Sequence, residues 1–195
     1  QNSLGRFSTQ FSTGQGCVPE TVDEEGIVVA EGIRRAGKAK MAVVTPSHQA
    51  PLCVSMSMAR RLQLLDWATK AKAWIVEDDY DGEFRYAGHP LPALKSLDSQ
   101  ERVLYAGSFS KVLYPGLALG YVVVPEALAA RCAEAARVGP GACPQLTQAV
   151  VADFLKEGHF SRHIKKMRLL YGRRRALLAS ELLRANGERV RIDLR

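Results

Sequence analysis

Two short polar segments, each directly after an apolar run, carry the residues best suited to chemistry. One is Gly107-Ser108-Phe109-Ser110-Lys111, which follows Val103-Leu104-Tyr105-Ala106. The other is Glu77-Asp78-Asp79-Tyr80-Asp81, which follows Ala73-Trp74-Ile75-Val76. Short apolar runs of this kind read as buried strands. Asp78 and Tyr80 are two residues apart, so an extended chain projects them to one face and Asp79 to the other. The glycine and hydroxyls around Lys111 suit a phosphate, because they offer hydroxyl and backbone N–H donors. An amine, a carboxylate, a phenol and small donors together make the set needed to hold pyridoxal 5'-phosphate (PLP). The lysine forms a Schiff base with its aldehyde, the carboxylate keeps the pyridine nitrogen protonated, and the phenol reaches the 3′-oxygen. Each segment alone has a plainer reading, Asp78 and Asp79 as loop carboxylates capping local backbone and Lys111 as a surface lysine. Their occurrence at the ends of successive strands favours the joint one.

The rest of the chain supplies the scaffold. Residues 1–20 have no clear periodicity. From Thr21 the pattern is regular. Asp23-Glu24-Glu25-Gly26 is a turn, Ile27–Arg35 a short helix, Met41–Val44 a buried strand and Thr45–Pro51 a loop. Ser57 is placed to cap a helix that runs to about Lys72, with Leu62, Leu65 and Ala68 on one face. A loop with Gly82, Gly88, Pro90 and Pro92 precedes the second site strand, and a strand at Leu119–Val124 follows the lysine segment. Helices are expected at Glu126–Arg137, at about Gln145–Lys156 and at about Ser161–Leu183, with a break at Gly139-Pro140-Gly141 and a new strand at Val190–Ile192. Strands alternating with helices predict an α/β fold with a largely parallel sheet. In such sheets the ligand crevice lies beyond the carboxyl ends of the strands, where the Pro46–Pro51, Asp78–Asp81 and Ser108–Lys111 segments all fall. His48 lies in the first of these loops, placed to orient a neighbour or to contact cofactor, with a plainer reading as a hydrogen-bonded loop histidine. His159 and His163 read as structural.

Composition narrows the class. The 195 residues are 47% hydrophobic and suffice for one sizeable core, or one domain and part of another. No apolar stretch approaches the roughly 20 residues of a membrane span, and Gln1–Gly16 is too polar for a signal peptide. Cys17, Cys53, Cys132 and Cys143 match no metal-binding spacing and read as reduced thiols in a cytoplasmic protein. The net charge of +7 is concentrated between Arg162 and Arg195, on a segment with helical periodicity, and reads as a solvated helix face rather than a nucleic-acid surface.

The motifs then carry a family likeness. Thr45-Pro46-Ser47-His48-Gln49-x-Pro51, Ile75–Tyr86 with its Glu77-Asp78-Asp79-Tyr80-Asp81 core, Pro90-Leu91-Pro92-Ala93-Leu94, Gly107-x-Phe109-Ser110-Lys111 and Glu157–Arg168 closely resemble the MocR group, over about Thr21–Leu183. MocR proteins are bacterial regulators of the GntR family, a winged helix followed by a domain like class I/II aminotransferases of PLP fold type I. The resemblance implies Lys111 as the Schiff-base lysine, Asp78 as the pyridinium partner and Tyr80 as the phenol near the 3′-oxygen. It also implies Ser108 and Ser110 as phosphate-loop residues and Pro51 as the proline under the cofactor ring. It implies a homodimer, a division into a large domain over 21–158 and the start of a small domain over 159–195, and DNA contact only through a winged helix.

The chain departs from the pattern in two places. Ala118 stands seven residues after the lysine, where the family usually carries a phosphate-clamping arginine, and Leu52-Cys53 replaces a small hydroxyl residue and glycine. An arginine–phosphate pair is charge-assisted and often bidentate, so Ala118 is expected to weaken cofactor binding. The winged helix and the carboxylate-binding arginine of the family fall outside the sequence, which reads as an internal portion of such a protein or a shortened copy. The expected function is therefore sensing of a small amine or amino acid by Schiff-base exchange at Lys111, with a PLP-dependent aminotransferase as the alternative.

Overall fold

A computed structural model describes residues 10–12, 16–86, 91–139, 144–190 and 192. Strands β1 (Gln10–Ser12) and β2 (Cys17–Pro19) come first, followed by the hairpin of β3 (Val22–Asp23) and β4 (Gly26–Ile27). Then follow helix α1 (Val29–Arg35), strand β5 (Met41–Val44), helix α2 (Met58–Ala71), strand β6 (Trp74–Asp79) and helix α3 (Leu94–Leu97). Strand β7 (Val103–Ser108) runs into helix α4 (Phe109–Val112), and strand β8 (Gly120–Val123) leads to helices α5 (Glu126–Val138), α6 (Gln145–Lys156) and α7 (His159–Asn186).

The main sheet has the order β2-β1-β5-β6-β7-β8. Its centre, β5, β6 and β7, is parallel, while β1 and β8 pair antiparallel at either side of it. The expected α/β fold with a parallel sheet is borne out, and antiparallel strands extend it. Helix α2 is the crossover between β5 and β6. Ser57 caps it as expected, its hydroxyl accepting the Arg60 backbone N–H at 3.3 Å. Lys72, the expected last helical residue, is its left-handed cap. Leu64, Trp67 and Ala68 of α2 pack with Ala42, Val44, Ile75 and Val103 of the sheet and Leu94 of α3 in one buried core. Burying each of the larger of these side chains contributes about 1.5–3 kcal/mol.

Several boundaries moved. Ile27 is not helical: with Gly26 it forms β4, closing the Asp23–Gly26 turn into a hairpin. Gly26 has a φ of 96°, and a side chain there would also meet the Met56 backbone at 2.9 Å. β6 extends to Asp79 and β7 to Ser108, so Asp78 and Ser108 lie on strands, and Lys111 lies on a short helix rather than a loop. Helix α7 is longer than expected at both ends. Gly88, Pro90, Pro140, Gly141, Cys143 and Arg191, the last within the expected strand at Val190–Ile192, lie outside the described residues.

Among the described residues, those of 1–82 and 91–142 form one compact unit and those of 83–90 and 143–195 a second. The first holds the sheet and every candidate site residue. In the second, α6 packs on α7, the Arg168 Nε donates to the Glu83 carbonyl, and Arg175 lies over the Tyr86 ring at 5.4 Å. No helix among the described residues is long and apolar enough to cross a membrane.

Candidate functional site

The parallel register brings the polar segments to one edge of the sheet. Val44 of β5 pairs with Glu77 of β6, and Asp78 and Asp79 pair with Ala106 and Gly107 of β7. The carboxyl ends of β5, β6 and β7 therefore deliver the Pro51 loop, the Asp78–Asp81 segment and the Ser108–Lys111 segment side by side. Along β6, Ile75 and Glu77 are buried while Asp78 is exposed. Alternation thus sends Glu77 and Asp79 to one face and Asp78 to the other.

Hydrogen bonds tie the first two segments together. The Tyr80 hydroxyl donates to the His48 carbonyl at 3.0 Å, and His48 Nδ1 lies 3.1 Å from Asp81 Oδ1. His48 does orient a neighbour, across two strand ends. Pro51 follows a cis peptide bond in a tight loop closed by hydrogen bonds from Gln49 N–H to Val54 C=O and from Cys53 N–H to Gln49 C=O. Cys53 adopts a φ of 57°, the left-handed region in which glycine is most at ease.

The lysine segment is fixed from its strand. The Ser108 hydroxyl accepts the Ser110 backbone N–H at 3.2 Å, capping α4 and keeping its own proton free to donate. The Phe109 N–H donates to the Leu119 carbonyl at 2.9 Å, which anchors the start of α4 to the chain that enters β8. Lys111 is exposed on the last turn of α4. Ala118 caps the 3-10 turn Pro115–Leu117 at a φ of 47°.

The electrostatics suit a cationic ligand group beside Asp78. Partial burial among the loops raises its carboxyl above the ordinary value of 3.8, and the like charges of Asp79 and Asp81 raise it further, although the residue as a whole stays exposed. A protonated ring nitrogen there would relieve that repulsion. The Tyr80 phenol is pushed up to about 12, first by burial and then chiefly by Asp81, so it stays a hydrogen-bond donor at neutral pH. An exposed amine, a destabilised carboxylate, a protonated phenol and two serine hydroxyls on one sheet edge fit PLP. Among the described residues no cluster of His, Cys, Asp or Glu could hold a metal ion.

Four residues that were assigned no role from the sequence build the support beneath this edge. Arg61 of α2 is buried, donating from Nε to the Met56 carbonyl and from its two terminal nitrogens to the Pro92 and Pro46 carbonyls. Glu77 is buried beside it and accepts the Leu94 and Lys95 backbone N–H groups, both at 2.9 Å. Tyr105 donates to Asp79 Oδ2 at 2.8 Å, and Tyr121 packs across Gly107. Tyr105 lay in plain view, two residues before Gly107 in an apolar run. Its polar tip was the only sign that it does more than fill the core.

Comparison with known proteins agrees with the fold and the motifs. The sequence profile of the family "Aminotransferase class I and II" matches residues 28–193. The uncharacterised HTH-type transcriptional regulator YdeL of Bacillus subtilis is 41% identical over 90% of this chain and 37% of its own length. The probable rhizopine catabolism regulatory protein MocR of Rhizobium meliloti is 38% identical over 97% of this chain and 38% of its own length. The likeness to MocR-type regulators read from the motifs is thus borne out, and the chain spans well under half of these curated relatives. Among solved structures, kynurenine aminotransferase of Pyrococcus horikoshii, crystallised with pyridoxamine phosphate, superposes with a TM-score of 0.74 at 30% identity, over 87% of this chain and 43% of that one.

Proposed function

Since the chain belongs to the aminotransferase class I and II family, we propose that it binds pyridoxal 5'-phosphate and senses a small amine or amino acid by exchange at Lys111, as the effector domain of a transcription regulator. The observation that carries this reading is the register of β6 and β7, which sets the Asp78/Tyr80 pair beside the strand that leads into Lys111. When bound, PLP supplies an aldehyde that condenses with amines and a ring that draws electrons from them.

The chain's own groups then have distinct tasks. Lys111 presents the resident amine. Asp78 holds the proton on the ring nitrogen, and its charge is in turn offset by that cation. Tyr80, whose hydroxyl donates to the His48 carbonyl in the cofactor-free chain, would offer it to the 3′-oxygen. The Ser108 and Ser110 hydroxyls would hold the phosphate, and Pro51 would support the ring. Ala118 leaves the phosphate without a guanidinium at that position, which favours a modest affinity. We also propose a cytoplasmic homodimer, the large domain over 21–158, the small domain from 159, and DNA contact through a separate winged helix.

Replacement of Lys111 by alanine tests the reading. PLP titration followed by visible absorption is expected to give a stable band with the parent and none with Lys111→Ala. Equal binding by both proteins would refute it. Amino-acid addition then separates a sensor from a transaminase: a sensor shifts the band and stops, while a transaminase releases keto acid.

A further inference from the structure

The face of the sheet opposite Asp78 carries a chain of polar side chains that the proposed cofactor chemistry does not use. Asp79 Oδ2 accepts the Tyr105 hydroxyl at 2.8 Å. That donation commits the single hydroxyl proton of Tyr105. The Tyr121 ring stands beside that of Tyr105, 6.2 Å between centroids. The line Tyr121 to Tyr105 to Asp79 crosses three neighbouring strands, β8, β7 and β6, at the level where Asp79 pairs with Gly107 and Gly107 with Tyr121.

The packing around the line is close. A side chain at Gly107 would lie 2.3 Å from the Tyr121 ring, so that ring rests directly on the β7 backbone. A side chain at Gly82 would lie 2.5 Å from Asp79 Oδ1, so the turn after β6 wraps the carboxylate. That oxygen is buried with no hydrogen-bond partner among the described residues, which leaves the Tyr105 hydroxyl to orient the carboxylate. The Tyr121 ring also meets that of Phe109, the first residue of α4, at 5.2 Å between centroids. Phe109 stands two residues before Lys111, and Asp79 is bonded directly to Asp78.

We infer that Asp79, Tyr105 and Tyr121 are positioning residues that set the spacing between Asp78 and Lys111 from beneath the sheet. One end of the line holds the residue next to Asp78, and the other packs on the helix that carries Lys111. The inference rests on the proposed PLP site. It adds that the site's geometry is fixed by groups that touch neither ring nor phosphate. Asp79 has an electrostatic effect as well, since its charge is among those that disfavour ionisation of Asp78.

The test compares two replacements at one position. Asp79→Ala removes both charge and acceptor. Asp79→Asn removes the charge but keeps an amide oxygen for the Tyr105 hydroxyl. PLP titration of each is read as a dissociation constant and as the pH midpoint of the visible band, with thermal unfolding of the cofactor-free chains alongside. The expected result is a roughly tenfold weaker affinity for Asp79→Ala, recovery to within about threefold of the parent for Asp79→Asn, and a shifted pH midpoint in both. Tyr121→Ala removes the ring from Gly107 and from Phe109, and it should weaken binding by at least about threefold. It serves also if Asp79→Ala does not fold. Parent-like affinity and pH midpoint in all three variants would overturn the inference while leaving the PLP reading intact. So would losses in which Asp79→Asn is as poor as Asp79→Ala. A parent that gives no band removes the PLP reading itself, and the inference with it.

Discussion

Arg61 and Glu77 stand 3.9 Å apart with side-chain exposures of 1% and 0%, an ion pair sealed between helix α2 and strand β6. The pair is not a simple contact of two charges. Each member hydrogen-bonds to backbone that the site depends on: Arg61 to the Pro46 carbonyl at the start of the Pro51 loop, Glu77 to the N–H groups that begin α3. Burial still raises the Glu77 carboxyl above its ordinary range, against the lowering pull of those N–H groups and Arg61. Removing one partner of such a pair strands the other. Arg61→Met should therefore cost about 3–5 kcal/mol of stability, read by chemical denaturation. A loss below about 1 kcal/mol would show that the pair is dispensable.

Asp78 should show a site residue's conflict between stability and binding. Its folded-state pKa is raised by partial burial and by Asp79 and Asp81. Folding thus favours the protonated form. The stabilising contribution is complete below the unfolded value of 3.8 and is lost as pH rises through the raised folded value. At neutral pH the charge works against folding, so Asp78→Asn should raise the melting temperature of the cofactor-free chain at pH 7. The gain should shrink toward pH 3, and PLP affinity should fall. A lower melting temperature for Asp78→Asn at pH 7 would contradict this.

Ala118 offers a prediction in the direction of gained function. It sits at a φ of 47°, at the position where the family resemblance implies an arginine. A charge-assisted hydrogen bond contributes about 1.5–3 kcal/mol. Ala118→Arg should therefore tighten PLP binding by at least about tenfold in a titration at low ionic strength. An unchanged dissociation constant would mean that the phosphate does not lie near this turn.

Much of this was legible in the chain because it is local. The runs before Asp78 and Lys111 read as strands from apolar content alone, and Ser57 was recognisable as a cap. Alternation predicted that Asp78 and Asp79 part ways on opposite faces, which the burial of Glu77 and exposure of Asp78 agree with. What was hidden depends on partners distant in sequence. Arg61 looks like any polar helix residue until Pro46, Met56 and Pro92 turn their carbonyls toward it. The β3–β4 hairpin has two residues in each strand, too few for period-two alternation to show. That β8 returns antiparallel beside β7 follows from the short connection through Pro115–Leu117, which leaves no room for a crossover helix.

The central claim is that Lys111 is the amine that takes the aldehyde, and chemical trapping tests it most directly. The parent chain would be mixed with PLP, reduced with borohydride, digested and mapped. The account predicts one pyridoxyl group, on Lys111, with labelling prevented by Asp78→Ala at the same PLP concentration. Label spread over several surface lysines, or a folded chain that carries none on Lys111, would contradict it.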